Sequence, residues 1–316
     1  MEIREVDRKI YDESVKRFNE IFYNSSDFVE LNRDKVDTIK YLVAYNGSSP
    51  KYAFSFGIKE NMAKAPFSAP FSLPIVLKKA TSIGHYDEVL KFLEEFLKNT
   101  GIKSVRFILP PIFYNVQELT VWINAFYKLK YKVINVDINH ALNLKKAYSE
   151  KYIDNLEYNA RRNLKIAFKS NLELFPCLDE LDIKEAYDVI ADNRASKGYP
   201  LRMTYKQVSD TIKIVKHDVF LVKSEGKGIA AALVYKVTLK IAQVIYWGDR
   251  PGFGNLKPIN FLSYQLIQHY GQKGYEWLDI GPSTEDSVPN YGLCDFKESI
   301  GCERGLKFTF GKIFNI

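Results

Sequence analysis

The sequence is poor in the residues that build metal centres and disulfide frameworks. It has three cysteines, Cys177, Cys294 and Cys302, and four scattered histidines, and together they form no metal-ligand spacing. Three thiols cannot all pair with one another, so reduced structural thiols are expected, and no metal. No apolar run approaches the ~18 residues of a membrane span. The residues after Met1, EIREVDRKI, have neither the basic start nor the apolar core of a leader peptide. These absences predict a cytoplasmic chain. Tryptophan is scarce as well, with three residues against 21 Tyr and 21 Phe, an imbalance that fits β-rich cores and biased coding and is given no binding role.

What is present points to a folded, basic, two-part protein. At 316 residues the chain exceeds the ~250–300 at which single cores stop growing, so two domains are expected, 1–149 and 150–316. Hydrophobic content of 46% and charged content of 26% are those of a globular protein. The net charge of +7 suits an anionic partner, with nucleic acid, a nucleotide cofactor and a phosphorylated sugar all open.

Hydrophobic periodicity orders the elements. A helix is expected over 7–21, then a hairpin of IKYLVAY and KYAFSFGIK about a GSSP turn, then the proline-held extended segment APFSAPFSLPIV. A helix over 85–99, a strand at VRFILPP, a helix over 116–129 and a strand at YKVINVDINHAL close the first half. The second half has helices over 183–197 and 205–215. Strands near 218–224, 229–237 and 240–248 follow, then a helix opened by Pro258, a strand at EWLDIG, a short helix after Asn290 and a strand at LKFTFGKIF. Both halves thus contain three strands, a helix, a strand, a short helix and a strand. Between them, 150–170 reads as one helix with Tyr152, Leu156, Ala160, Leu164, Ala167 and Phe168 inward and Arg162, Lys165 and Lys169 along another side.

The segment LDIGPSTEDSVPNYGLCDFKESIGCER, 278–304, carries the densest chemistry. It leaves a buried strand, passes through a polar loop and enters a short helix, the setting in which α/β proteins bind ligands.

The duplicated series resembles the GNAT acyltransferase fold, and two such units in one chain resemble the Fem family of aminoacyltransferases that build peptidoglycan interpeptide bridges. Four stretches carry the resemblance in order: KAPFSAPFS (64–72), LPPIFY (109–114), NARRNLKIAFKSNLEL (159–174), and LDIGPST with LCDFKESIG (278–301). The resemblance implies an α/β fold of two tandem GNAT-like domains, each a mixed central sheet flanked by helices. It also implies an acyltransferase that moves an aminoacyl or acyl group from aminoacyl-tRNA or acyl-CoA to an amine of a cell-envelope, sugar or peptide precursor. Two features depart from it. GDRPGFGNLKP (248–258) stands where coenzyme A-binding GNAT proteins carry a Gly-rich pyrophosphate loop, and Pro251 and Pro258 remove backbone donors there. The long Lys/Glu-rich hairpin of some Fem proteins, which contacts tRNA, is missing.

Acyl transfer to an amine needs a neutral nucleophile, stabilisation of a tetrahedral oxyanion and a proton for the leaving group. By resemblance, Phe296 and Lys297 line the donor or phosphate channel, with Lys297 supplying positive charge. Tyr246 and Gly248 end one central strand and Asp279 and Gly281 the next, where glycine allows close approach. Asp279, Glu285, Asp286 and Asp295 are candidate bases, and Tyr246 and Tyr291 candidate acids. Arg161 and Arg162 are candidates to clamp a phosphate or carboxylate, and Tyr114 to line an acceptor groove. Blander roles compete for each: a solvated face for the arginines, turn formation for the carboxylates, core packing for Tyr114. His217 and His269 are read as structural. Two other functions stay open, a coenzyme A-dependent N-acetyltransferase and an idle GNAT-like module that binds an anionic ligand or nucleic acid.

Overall fold

The computed structural model describes residues 1–77 and 82–314. The chain opens with β1 (Glu2–Val6) and helix α1 (Arg8–Val15), capped by the Asp7 carboxylate, which accepts from the Ile10 amide. The helix expected to reach 21 stops at Val15, whose carbonyl takes the amides of both Phe18 and Asn19 in a closing turn. After α2 (Ser26–Leu31) the first repeat begins with the hairpin β2 (Thr38–Asn46) and β3 (Ser49–Lys59). It continues through β4 (Met62–Ala65), β5 (Ile75–Val76), α3 (Ile83–Asn99), β6 (Ser104–Ile108), α4 (Val116–Lys128) and β7 (Lys132–Asn143). In α3 the buried residues Tyr86, Val89, Leu90, Leu93 and Leu97 fall at helical spacing.

After the short α5 (Leu144–Ala147), the single helix expected over 150–170 is instead two: α6 (Tyr152–Asn155) and α7 (Tyr158–Phe168). Leu156 and Glu157 have ψ near 150°, which breaks the helix although the apolar period runs through it. Leu156 stays buried from an extended backbone, so the stripe continues while the helix does not. Next come β8 (Glu173–Pro176), α8 (Glu180–Ser196) and α9 (Tyr205–Ile212). The second repeat consists of β9 (His217–Ser224), β10 (Lys227–Lys236), β11 (Ile241–Asp249), α10 (Pro258–Gln272) and β12 (Trp277–Pro282). A small hairpin of β13 (Thr284–Glu285) and β14 (Val288–Pro289) leads to α11 (Tyr291–Ser299) and β15 (Glu303–Ile313).

Two compact units result. The first comprises Met1–Asp137 with the chain from Gly305 onward, the second Ile138–Arg304. The first has strand order β1-β2-β3-β4-β6-β15, with β5 on β3 and only the β4–β6 pair parallel. The second has β8-β9-β10-β11-β12-β7, with only β11–β12 parallel. Each unit thus includes a strand contributed by the other repeat. Asn139–Asn143 of β7 pair with β12, while Thr309–Ile313 of β15 pair with β6. The division therefore falls inside β7 and β15, where a boundary at 149/150 was expected. A strand's hydrophobic pattern marks which face is buried and leaves open which sheet edge it joins.

The first unit has an aromatic core. Trp122 lies 4.8 Å from Tyr86 and 5.9 Å from Phe126 between ring centroids, and Phe310 of β15 stacks on Phe126 at 5.2 Å. The second is more aliphatic, with Leu262, Leu266 and Ile267 of α10 joined to Val222, Ala232 and Leu278 of the sheet. Because Phe310 is buried in the first unit, Phe310→Ala is expected to cost about 3–5 kcal/mol there. Amide hydrogen exchange should show the loss of protection in α3 and α4 and spare α10.

Candidate functional site

The parallel ladder of β11 and β12 is short. It runs from Ile241 opposite Trp277 to Gln243 opposite Asp279 and then ends, although both strands continue. Irregularities on both outer sides explain the divergence. Between β10 and β11 the register shifts so that Val244 and Tyr246 face consecutive residues, and between β12 and β7 it shifts so that Asp279 and Gly281 do. Each extra residue increases the local twist and bends its strand. Gly281 sits at φ +80°, in the left-handed region, where any side chain is strained even though open space surrounds it.

Asp279 ties the fork. Its side chain is fully buried and accepts from Asn139 Nδ2 on β7 (2.6 Å), Gln243 Nε2 on β11 (2.8 Å) and its own strand's Gly281 amide (2.8 Å). This corrects the expectation of a catalytic base: an enclosed carboxylate with three donors already on it holds strands together and has no access to a substrate amine.

Lys297 enters the fork from α11, whose N-terminus is capped by Asn290 accepting from the Leu293 amide. Only 2% of Lys297 is exposed, and Nζ donates to the carbonyls of Gly281 (2.8 Å) and Pro282 (3.0 Å). The ammonium thus satisfies two carbonyls at the end of β12. Burial pushes its pKa down to about 8; Cys302, Asp279 and Cys294 act upward and Arg194 downward.

Around the fork stand residues on three elements. Tyr246 of β11 is half-buried, and burial raises its phenol pKa against a backbone hydrogen bond from Met203 and the charges of Arg194 and Arg202. The Arg194 guanidinium lies 5.8 Å from the Tyr246 ring centroid, and its Nε is buried without a hydrogen-bond partner among the described residues. Phe296 is half-buried with its ring 6.1 Å from that of Trp247. Gly248 serves packing: a Cβ there would come within 2.6 Å of Asn193, whose amide donates to the Asp249 carbonyl at 2.8 Å. Sequence reasoning passed over Arg194. Its one signal was its place in the last turn of α8, beside an asparagine that faces inward.

Several other candidates lie elsewhere. Tyr291 is 75% exposed at the start of α11, and Asp286 and Asp295 are exposed. Glu285 pairs with Arg202 at 2.9 Å. Arg161 is half-buried and Arg162 exposed on α7. Tyr114 belongs to the first unit, its ring 4.7 Å from Phe71. In the loop before α10, Arg250 is spent on Asp192 (3.0 Å) and the Gly228 carbonyl (2.9 Å), and Lys257 precedes Pro258 in a left-handed conformation without a side-chain cap. His217 Nδ1 lies 2.8 Å from the Val215 carbonyl. Among the described residues no group of three His, Cys, Asp or Glu is placed to hold a metal, and no helix is long and apolar enough to cross a membrane.

No protein-family model matches the chain, and no curated protein matches it in sequence. Solved structures do match. FemX is similar over 100% of this chain and 98% of its own, with 12% identity and a TM-score of 0.73. L-PGS from Bacillus licheniformis is similar over 97% and 92%, with 13% identity and a TM-score of 0.61. A tandem GNAT protein from the clavulanic acid biosynthesis pathway is similar over 99% and 98%, with 9% identity and a TM-score of 0.54. At these identities the likeness establishes the fold.

The buried ammonium has a measurable cost. Lys297 titrates near 8 when folded, against its ordinary value of 10.5, so between these limits the unfolded chain binds more protons and stability rises with pH. Urea unfolding of the wild type and of Lys297→Met should therefore diverge in the wild type's favour from pH 8 to 10 and run parallel below pH 7.

Proposed function

We propose that this chain, which has the tandem GNAT fold in its Fem-like form, is an acyltransferase that moves an aminoacyl or acyl group onto an amine of a cell-envelope, sugar or peptide precursor. The observation that carries this reading is the Lys297 ammonium at the mouth of the β11–β12 fork. Attack of an amine on an acyl carbonyl places a full negative charge on oxygen, and a fixed cation in a water-poor site stabilises that charge far more than one in bulk water. Two of the three Nζ donors are taken by carbonyls. The third is assigned to the oxyanion. A pKa of about 8 keeps most of the amine charged at neutral pH.

Arg194 supplies a second positive charge. Its buried, unpartnered Nε beside Tyr246 suits a phosphate or carboxylate on the substrate, because a guanidinium binds such groups through paired N–H donors. The anion-clamping role considered for Arg161 and Arg162 is accordingly given to Arg194. Tyr246, beside the Arg194 guanidinium, is the acid that the reading retains. The donor is an activated ester or thioester. With Arg250 engaged in packing and Pro258 opening α10, the backbone that would bind a coenzyme A pyrophosphate is poorly supplied, which favours an aminoacyl ester such as aminoacyl-tRNA over acyl-CoA. The excess of basic residues supports an anionic donor of either kind and also a non-catalytic role in nucleic-acid binding.

Purified protein should be incubated with aminoacyl-tRNA or with acetyl-CoA and a panel of amine acceptors that includes nucleotide-sugar peptides, with products read by mass spectrometry. Transfer from one donor is expected. In Lys297→Met it should fall by roughly 10²–10³-fold in kcat, and in Arg194→Gln mainly KM should rise. Full turnover by folded Lys297→Met would overturn the assignment. If neither donor is used but RNA binds with an affinity that falls steeply with salt, the protein is a binding module.

A further inference from the structure

A second polar cluster grips the same turn of chain from its other side. Ser283 follows Pro282, and its Oγ lies 2.8 Å from His140 Nδ1; His140 Nε2 lies 3.2 Å from Glu298 Oε1. Glu298 is bound by Arg304, whose Nε donates to Oε1 at 2.6 Å and whose second nitrogen donates to Oε2. His140 is fully buried on β7 opposite Gly281, and Ser283 is nearly so. Glu298 is the residue after Lys297, and successive helical residues point about 100° apart. One helix therefore sends Lys297 to the carbonyls of Gly281 and Pro282 and Glu298 to the imidazole that holds Ser283.

The protonation pattern follows from the partners. Arg304 holds the Glu298 pKa down to about 2, so this carboxylate only accepts, and His140 Nε2 must donate to it. Burial is the leading influence keeping the ring neutral, with Lys297 and Arg304 acting the same way and Glu298 opposing. A neutral ring protonated at Nε2 leaves Nδ1 as an acceptor for the Ser283 hydroxyl. The main chain of Ser283 is fixed too, its amide donating to Ile138 O at 2.8 Å and its carbonyl accepting from the Asn290 amide at 2.9 Å.

We propose that His140, braced between Ser283 and Glu298, is a positioning residue for Lys297, holding the Gly281–Ser283 turn so that two carbonyls converge on its ammonium. The brace sets the direction of the third N–H, and through it the placement of the charge that the acyl-transfer reading requires. That functional consequence rests on the proposed function, whereas the brace itself does not.

Two readouts keep them apart. Titration of Lys297 Nζ by ¹⁵N NMR needs no substrate. Ser283→Ala and His140→Gln, which break the bond to Nδ1, should move the Lys297 midpoint away from about 8 by at least ~0.5 unit in protein that is folded by circular dichroism. His140→Asn, whose side-chain oxygen reaches the Nδ1 position, should restore part of the shift. An unchanged Lys297 midpoint in folded Ser283→Ala and His140→Gln overturns the proposal, and so does a ring carrying its proton on Nδ1 in the wild type. Where the transfer assay gives turnover, the same variants should lose kcat about 10-fold with KM retained. If the wild type transfers nothing, the acyltransferase reading fails and the titration still decides the brace.

Discussion

A carboxylate buried away from water costs several kcal/mol unless hydrogen bonds replace its hydration. Asp279 meets that requirement at the one level of the second sheet where β11 and β12 part. Its donors come from β7, β11 and the turn of β12, so satisfying a single charge fixes three strands at the fork. Replacing any one of them leaves a buried polar group unpaired. Above this anchor the backbone is free to bend, and the bend exposes the carbonyls that draw in Lys297.

The fork therefore holds an anion and a cation in sequence along one strand. Asp279 faces inward and is spent; Lys297 comes from α11 and keeps a donor in reserve. Electrostatics couple them, since Asp279 favours the charged form of Lys297 while burial opposes it. A lysine with an intermediate pKa in such a place needs continuous support from its surroundings. The Ser283–His140–Glu298–Arg304 chain provides a route for that support to the surface, where Glu298 and Arg304 pair.

Much of this was legible in the residues. Helical spacing located α3, α4 and α10, Pro258 marked the start of α10, and the resemblance drew attention to Lys297, which the fold buries against two carbonyls. Asp279 was expected as a candidate base, whereas the fold encloses it among donors; a carboxylate's role depends on which donors surround it, and those lie 36 and 140 residues away in the chain. Arg194 and His140 carried no local pattern. One is set beside Tyr246 by the packing of α8 and the other beside Glu298 by the pairing of β7 with β12.

The sequence alone determined the alternation of strands and helices, its duplication and the polar break after β12, since these follow from side-chain period and turn chemistry within a few residues. Only the tertiary structure decided that β7 and β15 each contribute to the unit of the other repeat, that the basic connector breaks at Leu156–Glu157, and that Lys297 is buried against two carbonyls. Those outcomes depend on register, burial and hydrogen bonding between segments far apart in the chain, and no local pattern encodes them.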